Sequence, residues 1–305
     1  MNIIEQAARR LEELRRSGVE VPAPVSRTPT AGSNDAQRSR DRRLGAASAN
    51  GAAADADSAL PPNAEVDLRK LALMGYITPE SPRTQIANEF RVIKRPILSN
   101  VHNRSAAPVE RANLIMVTSS VPGEGKTFVS INLAISIAME LDSTVLLVDA
   151  DVSRPSVLQR LGLPPAPGLM DMLSDSSRDI GDVLLRTNID KLSILPAGTP
   201  SGNATELLAS VQMSRLLEDI GSRYADRILV FDAPPLLPST ESRVLASHMG
   251  QVVVVVEAES TSYQTVMSAM STLEACPVVL PLLNKTGRPE VGSYYGYYGP
   301  EEKPS

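Results

Sequence analysis

The chain has 305 residues, a formal net charge of −5 and no tryptophan, which allows one large or two small domains at roughly 150 residues each. A mildly acidic chain gives no reason to expect nucleic acid as the main partner. The single cysteine, Cys276, can make no internal disulfide; with Ala275 and Pro277 beside it, it reads as a small buried hydrophobe in a reducing compartment.

Residues 1–17 place Ile3, Ile4, Ala7, Ala8, Leu11 and Leu14 at helical spacing among glutamates and arginines, which predicts an amphipathic helix. It is too short to be stable alone. Its own domain, a partner's cytoplasmic segment and the inner membrane face are the docking surfaces open to it. Residues 18–64 are Pro, Ala, Ser, Gly, Asn and Arg without apolar periodicity, a disordered linker with a root-mean-square span of roughly 35 to 40 Å.

Order resumes near Val66. Helices are predicted over Val66–Met74 and Gln85–Ser99, the latter with Ile86, Phe90, Ile93 and Leu98 on one stripe. Six apolar strands follow, at Leu114–Thr118, Thr144–Asp149, Leu192–Pro196, Arg227–Asp232, Gln251–Glu257 and Val278–Asn284. Helical stretches lie between them at Thr127–Glu140, Pro155–Leu161, Met170–Leu173, Thr205–Tyr224 and Thr261–Ala275. Continuous apolar strands alternating with helices predict an α/β fold, a doubly wound, mostly parallel sheet covered on both faces, spanning 65–290. Residues 291–305 read as a mobile tail. The longest aliphatic run, Val252–Val256, falls far short of the about 20 residues that span a bilayer. The N-terminus also lacks the apolar core of a signal peptide. The expectation is a cytoplasmic protein without a transmembrane segment, associated peripherally with the inner membrane through a partner.

The stretch Leu114–Thr127 carries the strongest signal: an apolar strand, a glycine-bearing turn, then Lys126-Thr127 opening a helix. Backbone amides in such a turn and at the helix N-terminus cradle phosphate. Against G-x-x-x-x-G-K-[ST], Gly125, Lys126 and Thr127 stand in register and Ser120 replaces the first glycine. Ser120, Val121, Pro122, Gly123, Glu124, Gly125, Lys126, Thr127 and Phe128 are therefore the expected nucleotide-binding run, the P-loop of an NTPase. Asn284, after the last strand, is placed where a base would lie.

Carboxylates end two buried strands, Asp149 and Asp151 after Val145–Val148 and Asp232 after Ile228–Phe231. Ligands in such folds sit at the carboxyl ends of the strands, so these groups should converge beside the loop. A nucleoside triphosphate needs Mg²⁺, with a loop hydroxyl, one or two carboxylates, phosphate and water as ligands. Thr127 is the expected hydroxyl, with Asp149 and Asp232 the expected carboxylates, directly or through water. Asp151 either joins the metal shell or receives a proton from an incoming hydroxyl.

These residues resemble a known family, the bacterial tyrosine autokinases of exopolysaccharide and capsule export. The matching motifs are Pro122-Gly-Glu-Gly-Lys-Thr127, Val145-Leu-Leu-Val-Asp-Ala-Asp151, Ile228-Leu-Val-Phe-Asp-Ala-Pro-Pro235 and the tail Tyr294-Tyr295-Gly-Tyr297-Tyr298, which holds four of the seven tyrosines. The N-terminal helix and linker look most like the branch linked to exosortase and PEP-CTERM polysaccharide loci. The resemblance implies a P-loop fold of the deviant Walker type and transfer of the ATP γ-phosphoryl group to tail tyrosines of a neighbouring subunit. Lys126, Asp149, Asp151 and Asp232 would be catalytic, Tyr294, Tyr295, Tyr297 and Tyr298 the acceptors, and ATP and Mg²⁺ the cofactors. It also implies a ring-shaped homo-oligomer, a membrane polysaccharide copolymerase as activator and a tyrosine phosphatase as antagonist.

The chain departs from the family pattern in several places. Arg154 comes one place late after Asp151, Ala233 replaces a Ser or Thr, and the subunit-contact motif reads Asn88-Glu-Phe-Arg91-Val-Ile-Lys94 with its acid shifted to Glu89. Two other readings share the loop. A P-loop ATPase that positions plasmids or division sites would carry an extra lysine where this chain has Val121, and a nucleotide-gated scaffold would regulate a copolymerase by docking alone. His102 and His248 have no metal-ligand spacing.

Overall fold

The computed structural model describes residues 64–102, 107–175, 177–223 and 227–287. The N-terminal helix, most of the linker and the tyrosine tail of the sequence reading lie outside those residues.

Helices α1 (Leu68–Leu73) and α2 (Gln85–Val101) precede strand β1 (Leu114–Ser119), and helix α3 (Lys126–Ala138) follows it. Next come β2 (Thr144–Asp149), α4 (Val157–Leu161), α5 (Leu169–Ser174), α6 (Ile180–Val183), β3 (Leu185–Arg186) and β4 (Leu192–Leu195). The chain continues through α7 (Ala204–Leu208), α8 (Val211–Arg223), β5 (Arg227–Asp232), α9 (Thr240–Ala246), β6 (Gln251–Glu257), α10 (Tyr263–Met270) and β7 (Val278–Asn284). The strands form one sheet in the order β3-β4-β2-β5-β1-β6-β7. Every pairing is parallel except that of β3 with β4.

All six predicted strands are present; the structure adds β3, whose two residues are too few to carry a sequence signal. The alternation of side chains along each strand divides the core in two. Ile115, Val117, Val145, Leu147, Ile228 and Val230 pack on one face, and Leu114, Met116, Leu146, Val148, Leu229 and Phe231 on the other. Both sets are apolar because helices cover both faces. Helix α3 is buried over eleven of its thirteen residues, so it lacks the exposed polar face of an outer helix. Its outer side is closed by α2 through Phe90, Ile97 and Leu98.

The long helix expected over Thr205–Tyr224 is two helices. Ser210 explains the break: its hydroxyl accepts the Met213 amide at 3.2 Å, starting α8, and donates to the Leu207 carbonyl at 2.6 Å, ending α7. Helices α6 and α9 were not predicted, although Ser239 signals the start of α9 by accepting the Ser242 amide. The expected Thr261–Ala275 helix is shorter, running through α10 into a 3₁₀ turn at Ser271–Leu273. Cys276 is half-buried, packed beside the second cluster, instead of fully enclosed.

Strand β7 stands at the sheet edge. The Asn284 carbonyl accepts the Ala258 amide, so the alternation of peptide groups turns Pro281 toward the open side. A missing donor there blunts the edge against further strand pairing. Among the described residues, no helix is long and apolar enough to cross a membrane.

Candidate nucleotide and phosphoryl-transfer site

Strand β1 runs into the loop at Ser120–Gly125, where Gly123 and Gly125 have φ of +96° and +100°, conformations that side-chain-bearing residues rarely adopt. The segment after β5 runs beside the loop and holds it: Thr118 Oγ1 donates to the Pro234 carbonyl at 2.6 Å, and the Leu236 and Leu237 amides donate to the Ser119 and Ser120 carbonyls. Ser119 Oγ donates to the Val121 carbonyl at 2.8 Å, closing the first turn of the loop.

The strand order brings the two strand-end carboxylates together, because β2 and β5 are neighbours with Asp149 in register with Asp232. Asp149 Oδ2 accepts the Ser156 and Val157 amides at 3.1 and 3.0 Å, so this oxygen caps the start of α4. Asp149 Oδ1 has no hydrogen-bond partner of standard geometry among the described residues. Asp232 is fully buried, with Oδ1 accepting from Ser130 Oγ at 3.0 Å and Oδ2 left without such a partner. Burial, and after it the charge of Asp232, pushes the Asp149 pKa up to about 7. Burial also raises Asp232, against the opposing pull of Lys126 and the Thr127 and Ser130 hydroxyls.

Lys126 Nζ lies 2.5 Å from Asp151 Oδ2, an ion pair of two largely buried side chains. Asp151 Oδ1 accepts the Arg154 amide at 3.2 Å. Thr127 Oγ1 is 3.1 Å from Ser156 Oγ, linking the head of α3 to the start of α4. A cavity of about 450 Å³ opens at this point, lined by Pro122, Gly123, Gly125, Lys126, Thr127 and Asp151 from the expected set. The sequence reading missed Ser156, Arg160 and Glu241 on its walls. Ser156, just ahead of α4, was the one with a usable signal. Arg154 also lines the cavity, so its one-place displacement does not remove it from the site.

Other expected residues stand elsewhere. Ser120 is buried, with no hydrogen-bond partner for its hydroxyl among the described residues. Phe128 packs on Tyr76 with ring centroids 4.9 Å apart, and with Asn284 it lines a separate groove of about 650 Å³. Asn284 Nδ2 donates to the Glu124 carbonyl at 2.8 Å, so its amide meets the loop backbone. Lys94, in the expected subunit-contact motif, is buried: it donates to the Ser136 carbonyl and pairs with Glu140 at 2.7 Å.

Among the described residues no group of three His, Cys, Asp or Glu forms a self-sufficient metal cage. Mg²⁺ bound through phosphate oxygens does not need one. A hydroxyl at Thr127 and the buried Asp149 Oδ1 and Asp232 Oδ2, which have no hydrogen-bond partner of standard geometry among the described residues, fit that donor set.

Residues 112–278 match the AAA domain family. Over 204 residues the chain is 35% identical to EpsB of Ralstonia nicotianae, a putative tyrosine-protein kinase, a match covering 63% of this chain and 27% of that protein. It is 28% identical over 223 residues to CapB of Staphylococcus aureus, another putative tyrosine-protein kinase, covering 72% of this chain and 93% of that one. The crystal structure of the chimerical protein CapA2B2 superposes with a TM-score of 0.57 at 26% identity, covering 74% of this chain and 96% of that chain.

Proposed function

The chain belongs to the AAA domain family, and from that premise we propose that it is an ATP-dependent protein-tyrosine autokinase that regulates exopolysaccharide polymerisation and export. The observation that carries the reading is the convergence of Lys126, Thr127, Asp149, Asp151 and Asp232 at the ends of three adjacent strands. Similarity to proteins named tyrosine-protein kinases, and the tail tyrosines, favour phosphotransfer to tyrosine over simple ATP hydrolysis.

In this reading the loop amides and the head of α3 hold the β and γ phosphates, so catalysis is mostly positioning and electrostatics. Thr127, Asp149 and Asp232 would hold Mg²⁺, which would offset the negative charge of the phosphates. Lys126, paired with Asp151 in this structure, moves its ammonium to the incoming phosphates. That exchange frees the Asp151 carboxylate to accept the proton of the tyrosine hydroxyl as its oxygen attacks the γ-phosphorus and ADP leaves. The acceptors are Tyr294, Tyr295, Tyr297 and Tyr298 of another copy. The oligomer is a ring, loosened when phosphorylation adds roughly −1.5 to −2 charge per tyrosine. A membrane polysaccharide copolymerase activates the kinase and holds it at the inner membrane, a phosphatase reverses it, and the chain belongs to the exosortase-linked branch.

The test is incubation of the full chain with labelled ATP and Mg²⁺, with and without a cytoplasmic fragment of the copolymerase, beside Lys126→Met and a variant with all four tail tyrosines changed to Phe. Tail phosphotyrosine in the parent, at least about 100-fold reduced in Lys126→Met, is expected, with smaller assemblies by light scattering after phosphorylation than in the Phe variant. Free phosphate without phosphotyrosine under both conditions would replace this reading with a positioning ATPase, and neither product would replace it with a scaffold.

A further inference from the structure

Glu124 lies inside the phosphate loop yet is only 1% exposed, a burial that a carboxylate tolerates only when donors surround it. Three do. Oε2 accepts the Val121 amide at 2.8 Å, and Oε1 accepts the Thr261 hydroxyl at 2.5 Å and the Glu257 amide at 3.2 Å. Val121 is in the loop itself; Glu257 ends β6, and Thr261 stands just before Ser262, which caps α10. One carboxylate therefore fastens the first half of the loop to the turn after β6.

The neighbouring strand end completes the clasp. Asn284 Nδ2 holds the Glu124 carbonyl, while Lys285 pairs with the Glu257 carboxylate at 3.0 Å. A Cβ at Gly125 would come within 2.2 Å of Asn284 Nδ2, so a side chain there would displace the amide that holds the loop. Glu124 does not line the cavity that holds Lys126 and Thr127, so it acts on the ligand only through the loop.

We propose that Glu124 is a positioning residue whose carboxylate, held by Val121, Glu257 and Thr261, preorganises the phosphate loop, so that the turn after β6 sets nucleotide affinity. The proposal rests on the nucleotide-binding reading above. A loop that has lost this tie samples conformations whose amides no longer converge, and apparent affinity falls by the fraction that remains competent.

Thr261 gives the sharpest test, because Thr261→Val removes the hydroxyl at nearly constant shape and Thr261→Ser keeps it. With the full chain, Mg²⁺ and a fluorescent ADP analogue, Thr261→Val should bind about tenfold more weakly than the parent, and Thr261→Ser within about twofold. In turnover assays the loss should appear in KM for ATP, with kcat changed less than about threefold. Hydrogen exchange at the Val121 amide should quicken in nucleotide-free Thr261→Val. Glu124→Ala should weaken binding further if it folds. Equal affinity of Thr261→Val and the parent overturns the proposal while leaving nucleotide binding intact; a parent that binds no ADP analogue overturns the nucleotide reading itself.

Discussion

Replacing Asp149 by asparagine should make the nucleotide-free protein more stable, increasingly so as pH rises. Burial and the adjacent Asp232 lift the Asp149 pKa from 3.8 to about 7. At about 1.4 kcal/mol per unit, ionised Asp149 costs the fold about 4 kcal/mol. Below pH 3.8 the carboxyl is protonated in both folded and unfolded chains, and there is no penalty. Between 3.8 and about 7 the folded chain keeps a proton that the unfolded chain releases, so stability falls as pH rises; above 7 the full penalty applies. The carbonyl of the introduced carboxamide can still accept the Ser156 and Val157 amides, and a neutral group no longer repels Asp232. The advantage of Asp149→Asn over the parent should therefore grow by about 2.5 kcal/mol between pH 5 and pH 8. Urea unfolding of both proteins in EDTA across that range measures it. Parallel stability curves would refute the assignment of an ionic penalty to this strand end.

Two further predictions concern the frame around the site. Gly168→Ala should destabilise by about 3 kcal/mol or more, because the added Cβ would meet the Pro196 carbonyl oxygen at 2.0 Å and the Gly198 nitrogen at 2.8 Å, both backbone atoms; thermal unfolding reads this directly. Lys94→Met should cost about 1–3 kcal/mol at neutral pH by leaving the Ser136 carbonyl and Glu140 without their buried partner. The hydrogen bond from Lys94 holds the Glu140 carboxyl below its usual range, so part of that deficit should vanish as pH falls through the folded value. Denaturation at two pH values separates the two contributions.

Much of the architecture follows from local pattern. The runs Leu114–Val117, Val145–Val148, Ile228–Phe231 and Val252–Val255 are apolar on both alternating faces, which only a sheet covered on both sides satisfies. Lys126-Thr127 after two positive-φ glycines opens a helix in register with a phosphate cradle, and Asp149 and Asp232 end buried strands. These properties depend on residues within one strand or turn of each other, so a single sequence displays them.

The tertiary structure decided what depends on strand order and long-range contact. That β2 lies beside β5 sets Asp149 against Asp232, 83 positions away in the chain, and the charge of that neighbour adds to burial in lifting the Asp149 pKa to about 7. The Lys126–Asp151 pair and the shared hydroxyl contact of Thr127 with Ser156 arise because the turn after β2 folds back over the head of α3. In sequence Glu124 is one loop residue among several; in the fold its carboxylate is held by the turn after β6, over 130 positions away. Asn284 took its place against the loop backbone for the same reason. Local sequence dictates which backbone groups can face a phosphate; the sheet order dictates which distant side chains hold them there.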